Sequence, residues 1–321
     1  MSMARYPIRG SGTGHSAVNL RPEIPHPMSR DRGKRRSPAK KGGGMGRKGD
    51  TQRTTGVRAK KHLGQHFLTD ASVAMRIAGT LSPDGPPRIL EIGPGTGVLT
   101  AFLLRRPVDL LAVELDGESV KYLREVFPLE LASETTSYKS FEVLHGDFLK
   151  LDLPGLFGGK PFAVTGNFPY NISTQIVFRV LENRERIPEF SGMFQREVAE
   201  RICAGPGSKT YGILSVLVQA YYLAEYRFTV PPEVFDPPPK VESGVLHLRY
   251  RTDTRADWDY QHLTRLVKTA FNQRRKTLRN SLKSLPVPDY LKEDAIFDRR
   301  PEQLEVREFI ALSKRIWDDT V

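Results

Sequence analysis

Gly166-Asn167-Phe168-Pro169-Tyr170-Asn171-Ile172-Ser173 follows the apolar run Phe162-Ala163-Val164 and brings together groups suited to one task. The Asn167 side-chain oxygen and the backbone carbonyl of Phe168 or Pro169 can accept the two hydrogens of an exocyclic amine. Pro169 lacks an N–H and has a fixed φ, which helps hold such a carbonyl in place. Tyr170 offers a face on which a flat ring can stack, as enzymes acting on extruded bases require. The amine of adenine is a poor nucleophile because its lone pair is delocalised into the ring. Two acceptors favour a more tetrahedral, reactive nitrogen. Asn and Pro are also ordinary turn formers, so this reading depends on what surrounds the stretch.

The elements that must position these residues follow a regular order. Arg88-Ile89-Leu90-Glu91-Ile92 reads as a short buried strand that meets Gly93, Gly95 and Gly97 before a helix beginning near Val98. Glycines there let backbone N–H groups approach a ligand at a helix start. Their spacing departs from the dinucleotide pattern because the third glycine comes one residue early. No Gly-Lys-Ser or Gly-Lys-Thr follows, which argues against a phosphate cradle. A second strand, Leu110 to Glu114, ends in an acid 21 residues after Gly93, about the interval at which such folds bind ribose hydroxyls. Asp116 then suits the N-cap of a helix over 117–127. A third strand, Phe141 to His145, leads to Gly146-Asp147, where Asp147 either accepts from an adenine amino group or forms a turn. The fourth strand delivers Asn167.

This order predicts an α/β fold, a Rossmann-like class I methyltransferase sheet whose ligand groups line one edge, followed by a small all-helical C-terminal domain. S-adenosylmethionine suits the set, because it offers a ribose diol, an adenine and an amino-acid end but no phosphate. Upstream, Lys60-Lys61-His62-Leu63-Gly64-Gln65-His66-Phe67-Leu68 reads as a basic loop entering a helix capped by Thr69 or Asp70. His62 and His66 are four apart without a nearby carboxylate or cysteine cluster, so no metal site is expected.

Taken together, these motifs resemble the ribosomal RNA small-subunit adenine N6,N6-dimethyltransferase family of the KsgA type, from about Lys60 to the C-terminus. The residues from Lys60 to Leu68 resemble its Lys-x-x-Gly-Gln-x-Phe-Leu signature. Glu91 to Gly97, Glu114-Leu115-Asp116, Gly146-Asp147 and Asn167 to Asn171 follow in its order. The resemblance implies that His66 and Leu68 border the cofactor S-adenosylmethionine and that Gly93 lets the chain approach it. It further implies that Glu114 binds the ribose, Asp147 the cofactor adenine, and that Asn167 stands between cofactor and target base. Pro169 and Tyr170 belong to the same catalytic motif, and Phe235 would sandwich the base opposite Tyr170. As a residue in isolation, Phe235 also reads as an apolar anchor for the proline-rich segment 230–243. Position 66 is His where many members have Asn, and position 168 is Phe where many have Leu. The implied substrate is two adjacent adenosines near the 3′ end of small-subunit rRNA, each methylated twice, with a role in subunit biogenesis.

Charge is unevenly distributed. Residues 1–57 hold thirteen Lys and Arg against three acids, a balance of +10 out of the chain's +12. Rich in Gly, Pro, Ser and Arg, they are expected to be a disordered basic tail. A targeting helix is disfavoured by Pro7, Pro22, Pro25 and Pro27. The expected divisions are therefore this tail, a methyltransferase domain over 58–252 and a helical RNA-binding domain over 253–321. Within the last, residues 261–288 carry seven Lys and Arg and no acid, which points to phosphate contact. One cysteine, Cys203, fits a reducing compartment. No apolar run reaches membrane-spanning length, and the resemblance implies a cytoplasmic monomer acting on immature small ribosomal subunits. Three rivals stand beside it: a large-subunit rRNA methyltransferase of the antibiotic-resistance type, an assembly factor that mainly binds, and a mitochondrial transcription partner.

Overall fold

The computed structural model describes residues 56–317 apart from 133 and 253–256. Most of the basic tail therefore lies outside the described residues. A short ribbon pairs β1 (Phe67–Leu68) with β8 (Phe235–Asp236). A seven-stranded sheet dominates the rest. In chain order its members are β2 (Arg88–Ile92), β3 (Asp109–Glu114), β4 (Ser140–His145), β5 (Ala163–Asn167), β6 (Glu189–Gln195), β7 (Tyr222–Val230) and β9 (Ser243–Tyr250). Side by side they run β4-β3-β2-β5-β6-β9-β7. From β4 to β6 every pairing is parallel, while β9 runs antiparallel to β6 and to β7.

Parallel strands need helical crossovers, and these cover both faces. The helices are α1 (Ala71–Ala78), α2 (Val98–Leu103), α3 (Gly117–Glu125), α4 (Phe127–Leu131), α5 (Ser173–Glu182), α6 (Arg196–Cys203) and α7 (Ile213–Gln219). Alternate residues of one strand consequently enter different cores. Ile89 and Ala163 join a cluster with α1 and α2, whereas Leu90 and Val164 join one with α5 and α6. Asp70 caps α1 by accepting from the Ser72 and Val73 amides at 2.7 and 3.0 Å, and Asp116 caps α3 as its sequence position suggests.

Beyond β9 the chain is helical: α8 (Tyr260–Asn272), α9 (Leu278–Ser281), α10 (Asp289–Lys292) and α11 (Val306–Trp317). Leu263, Leu266, Val267 and Ala270 of α8 and Phe309, Leu312 and Ile316 of α11 are buried in the same cluster as Leu214 and Leu217 of α7. The basic run does not form one continuous outward face. Arg274 donates to the carbonyls of Ser208 and Lys209, and Arg279 to Asp298, whereas Arg265, Arg275, Lys276 and Lys283 are exposed.

Two local features have specific causes. Helix α7 stops at Gln219, because Tyr222 opens β7 with its ring fully buried and its hydroxyl donating to the Ile187 carbonyl. The proline-rich segment 230–243 is not all loop. Phe235 and Asp236 pair with Leu68 and Phe67, and Thr69 donates its amide to the Val234 carbonyl at 2.8 Å, so the N-terminal arm is stitched to this segment.

Candidate functional site

Strand order reverses between β2 and β5, the point at which open α/β sheets hold ligands outside the carboxyl ends of their strands. A cavity of about 300 Å³ lies there, lined by the ends of β2, β3, β4 and β5 and roofed by residues 62–67. His66, Gly93, Glu114, Asp147, Asn167, Pro169 and Tyr170 all line it. Seven candidates named from the sequence thus meet in one place.

Each is held by its surroundings. Gly93 and Gly95 have φ of +65° and +58°, and a Cβ on Gly95 would stand 2.8 Å from the Phe67 ring. Only glycine suits that turn. The Glu114 carboxylate, 5% exposed, accepts from the Gly95 amide at 3.0 Å and the Asp116 amide at 2.8 Å. Burial pushes its carboxyl above the usual range, and the backbone donors oppose that rise. Each oxygen keeps a lone pair for a further donor such as a ribose hydroxyl. Asp147 caps a short 3₁₀ turn by accepting from the Leu149 amide at 3.0 Å, so the turn role is real, and its second oxygen lies 3.7 Å from Lys150 Nζ.

The Asn167 loop is anchored from below. The Phe168 ring is buried, stacked on Phe190 at a centroid distance of 5.1 Å and 7° between planes. Room for it comes from Gly166 and Gly192, which face each other across β5 and β6. A Cβ at Gly192 would overlap that ring and lie 2.5 Å from the Gly166 carbonyl oxygen. This slot accounts for a phenylalanine at position 168. The Pro169 carbonyl accepts from the Ile172 amide at 3.2 Å, and the Phe168 carbonyl takes no part in that turn.

Above the loop, Asn167 Nδ2 donates to the His66 carbonyl at 2.8 Å. A carbonyl can only accept, so the amide must present Nδ2 to it and keep Oδ1 for another donor. His66 Nδ1 donates to the Pro237 carbonyl at 2.7 Å, and its ring stacks on Tyr170 at 5.6 Å and 28°. The Tyr170 hydroxyl is 2.6 Å from Ser243 Oγ, and burial raises its pKa, which keeps the phenol protonated.

Leu68 and Phe235 are not brought to the cavity. They pair with each other in the β1–β8 ribbon, 5% and 4% exposed, inside the apolar cluster with Val73, Met193 and Val245. The structure thus places Phe235 in the position of the apolar anchor, outside the lining of this cavity, because the two-residue alternation of β8 turns Phe235 inward and Asp236 outward. Sequence reasoning overlooked Leu115 and Phe148, which also line the cavity. Leu115 is 51% exposed between two buried acids, an apolar face at the cavity wall. Its place directly after a strand-ending acid was the available signal.

Sheet order, glycine turn, strand-end acids and an amide beside an aromatic ring define a Rossmann-like class I methyltransferase. Solved structures agree on the fold. A dimethyladenosine transferase from Plasmodium falciparum superposes with a TM-score of 0.63 at 24% identity, covering 77% of this chain and 96% of its own. The 23S rRNA methyltransferase ErmE gives 0.55 at 28% identity, covering 78% and 99%. The chain belongs to the ribosomal RNA adenine dimethylase family, whose profile matches residues 56–299. Ribosomal RNA small subunit methyltransferase A of Flavobacterium johnsoniae is 56% identical over 265 residues, 83% of this chain and 98% of that protein. Its namesake in Bacteroides thetaiotaomicron is 52% identical over 263 residues, 81% and 94%.

Proposed function

We propose that this protein transfers methyl groups from S-adenosylmethionine to N6 of two adjacent adenosines near the 3′ end of small-subunit rRNA, dimethylating each. The observation that carries the reading is the orientation of Asn167. With Nδ2 committed to the His66 carbonyl, Oδ1 and the Phe168 carbonyl form a pair of acceptors for the two hydrogens of an adenine amine. Tyr170 supplies the stacking face.

The residues present fit S-adenosylmethionine. Two glycines with positive φ let the backbone come close, Glu114 offers lone pairs suited to ribose hydroxyls, and Asp147 and the apolar side of Leu115 suit an adenine. When bound, that cofactor supplies an electrophilic methyl on a sulfonium. The protein's part is positioning: Asn167 and the Phe168 carbonyl align the nitrogen, and residues 62–67 cover the cavity beside it. No strong base is needed, because the amino proton becomes acidic only as nitrogen is alkylated.

Small-subunit RNA is favoured over large-subunit RNA by similarity. The relatives at 52–56% identity bear the small-subunit name, whereas ErmE stands at 28%. The exposed cations Arg265, Arg275, Lys276 and Lys283 supply phosphate contacts. Among the described residues no helix is long and apolar enough to cross a membrane. The test is methylation of separated small and large subunits with labelled cofactor, followed by mass spectrometry of the RNA. Dimethyladenosine should appear in the small subunit alone; unmodified small-subunit adenosines would sink the proposal.

A further inference from the structure

We infer that Ser243 is a positioning residue for this reaction: buried and remote in sequence, it fixes the ring of Tyr170 against Asn167. The inference rests on the function proposed above and extends it to a residue with no assigned role.

Three separate segments meet around His66 and Tyr170, which line the cavity, and their hydrogen bonds close a circuit. The His66 carbonyl holds Asn167 Nδ2 at 2.8 Å. Three residues on, Tyr170 is held through its hydroxyl by Ser243 Oγ at 2.6 Å. Six residues before Ser243, the Pro237 carbonyl accepts from His66 Nδ1 at 2.7 Å, which returns the circuit to its start. The stacking of His66 on Tyr170 at 5.6 Å braces it across the middle.

Within that circuit Ser243 is the rigid point. It is 0% exposed and opens β9 where that strand is paired on both sides, with Gln195 of β6 and Val230 of β7. A tyrosine on a loop can rotate about two side-chain bonds. A hydrogen bond at the far end of its ring removes that freedom and transmits the sheet's rigidity to the stacking face. A base resting on Tyr170 then meets Asn167 Oδ1 in one orientation, and errors near 1 Å in such positioning cost roughly 10²-fold in rate. Ser243 itself does not line the cavity.

The experiment compares Ser243→Ala, Ser243→Thr, Tyr170→Phe and the Ser243→Ala/Tyr170→Phe double variant. Steady-state methylation of small subunits is combined with cofactor affinity measured by calorimetry. Ser243→Ala and Tyr170→Phe should each lower kcat/KM by roughly tenfold, the worth of one hydrogen bond near 1.4 kcal/mol. Cofactor Kd should stay unchanged, because neither hydroxyl is required at the glycine turn or at Glu114. The double variant should be no worse than either single, since both remove the same bond. Ser243→Thr keeps the hydroxyl and should recover most activity. Independent, multiplying losses in the double variant, or wild-type kinetics for Ser243→Ala, would overturn the role of Ser243 and leave the proposed function standing. An absence of methylation by the wild-type protein would overturn that function instead. A Ser243→Ala variant that merely misfolded would lose cofactor binding as well, and Tyr170→Phe, altered on the other partner, would still report whether the bond matters.

Discussion

Asn167 Nδ2 lies 2.8 Å from the carbonyl oxygen of His66, a residue 101 positions earlier in the chain. One hydrogen bond therefore joins the N-terminal arm to the β5 loop and decides which end of the amide faces the substrate. Asn167→Ala should lower turnover by roughly 10²-fold or more, the scale seen when one preorganised polar partner is lost. Cofactor affinity should fall far less. Asn167→Asp should fare no better, since a carboxylate has no hydrogen for the His66 carbonyl and repels it. Single-turnover methylation alongside cofactor titration separates the two effects. Near-normal rates in either variant would remove Asn167 from the mechanism.

Glu91 sits beneath the glycine turn, 1% exposed, with Thr100 Oγ1 donating to it at 2.8 Å. Burial, aided by the neighbouring Glu114 charge, pushes its carboxyl up to about 8. Between its ordinary value and that one, the folded protein keeps a proton that the unfolded chain has released. Stability from this group is therefore full at low pH and is lost as pH rises towards 8. Each tenfold in proton affinity is worth about 1.4 kcal/mol, so the loss between pH 5 and 8 is about 3 kcal/mol. Glu91→Gln keeps an acceptor for Thr100 and removes the titration. Urea unfolding at several pH values should show the variant gaining on the wild type as pH rises. Parallel curves would refute the assignment.

The parts of this site that were legible in the sequence are those set by short contiguous patterns. Glycines after a strand, acids at strand ends and the run from Asn167 to Tyr170 each announce themselves because strand, turn and ligand group are adjacent in sequence. What was not legible depends on pairing across long separations. Leu68 and Phe235 are 167 positions apart, and only their ribbon pairing shows that they bury each other. Ser243 reads as any serine at the end of a proline-rich stretch until β9 places it under Tyr170. Likewise β7 was hidden behind Tyr221-Tyr222, residues that fit a helix end as well as a strand start, until pairing with β9 decided the matter.

Gly192 shows how packing beneath the site reaches the chemistry. A Cβ there would overlap the Phe168 ring and approach the Gly166 carbonyl, and β5 and β6 are hydrogen-bonded neighbours that cannot readily part. Gly192→Ala should destabilise the fold by about 3 kcal/mol, the upper range for overpacking. Thermal unfolding measures that cost. The surviving folded fraction should bind cofactor normally yet methylate slowly, because displacing Phe168 shifts Asn167 next to it. Unchanged stability would mean that the slot is looser than its geometry indicates.

Lys276 and Lys283 are exposed in the turns on either side of α9 and flank a groove they share with Gln273, Asn280 and Ser284. Residues 261–288 contain no acid, and both lysines are exposed, so their charge is open to solvent or phosphate. Replacing either by Glu should weaken RNA binding at 0.1 M salt while leaving free-cofactor affinity unchanged. The slope of log affinity against log salt should fall by about 1 for each phosphate that is no longer neutralised. The weakening should also be uniform across RNA sequences, because a lysine on phosphate carries no base information. Filter binding with small-subunit RNA and an unrelated RNA of equal length, each across a salt series, separates this from base recognition. A Lys276→Glu variant with an unchanged salt slope would place the phosphate-binding surface on another face.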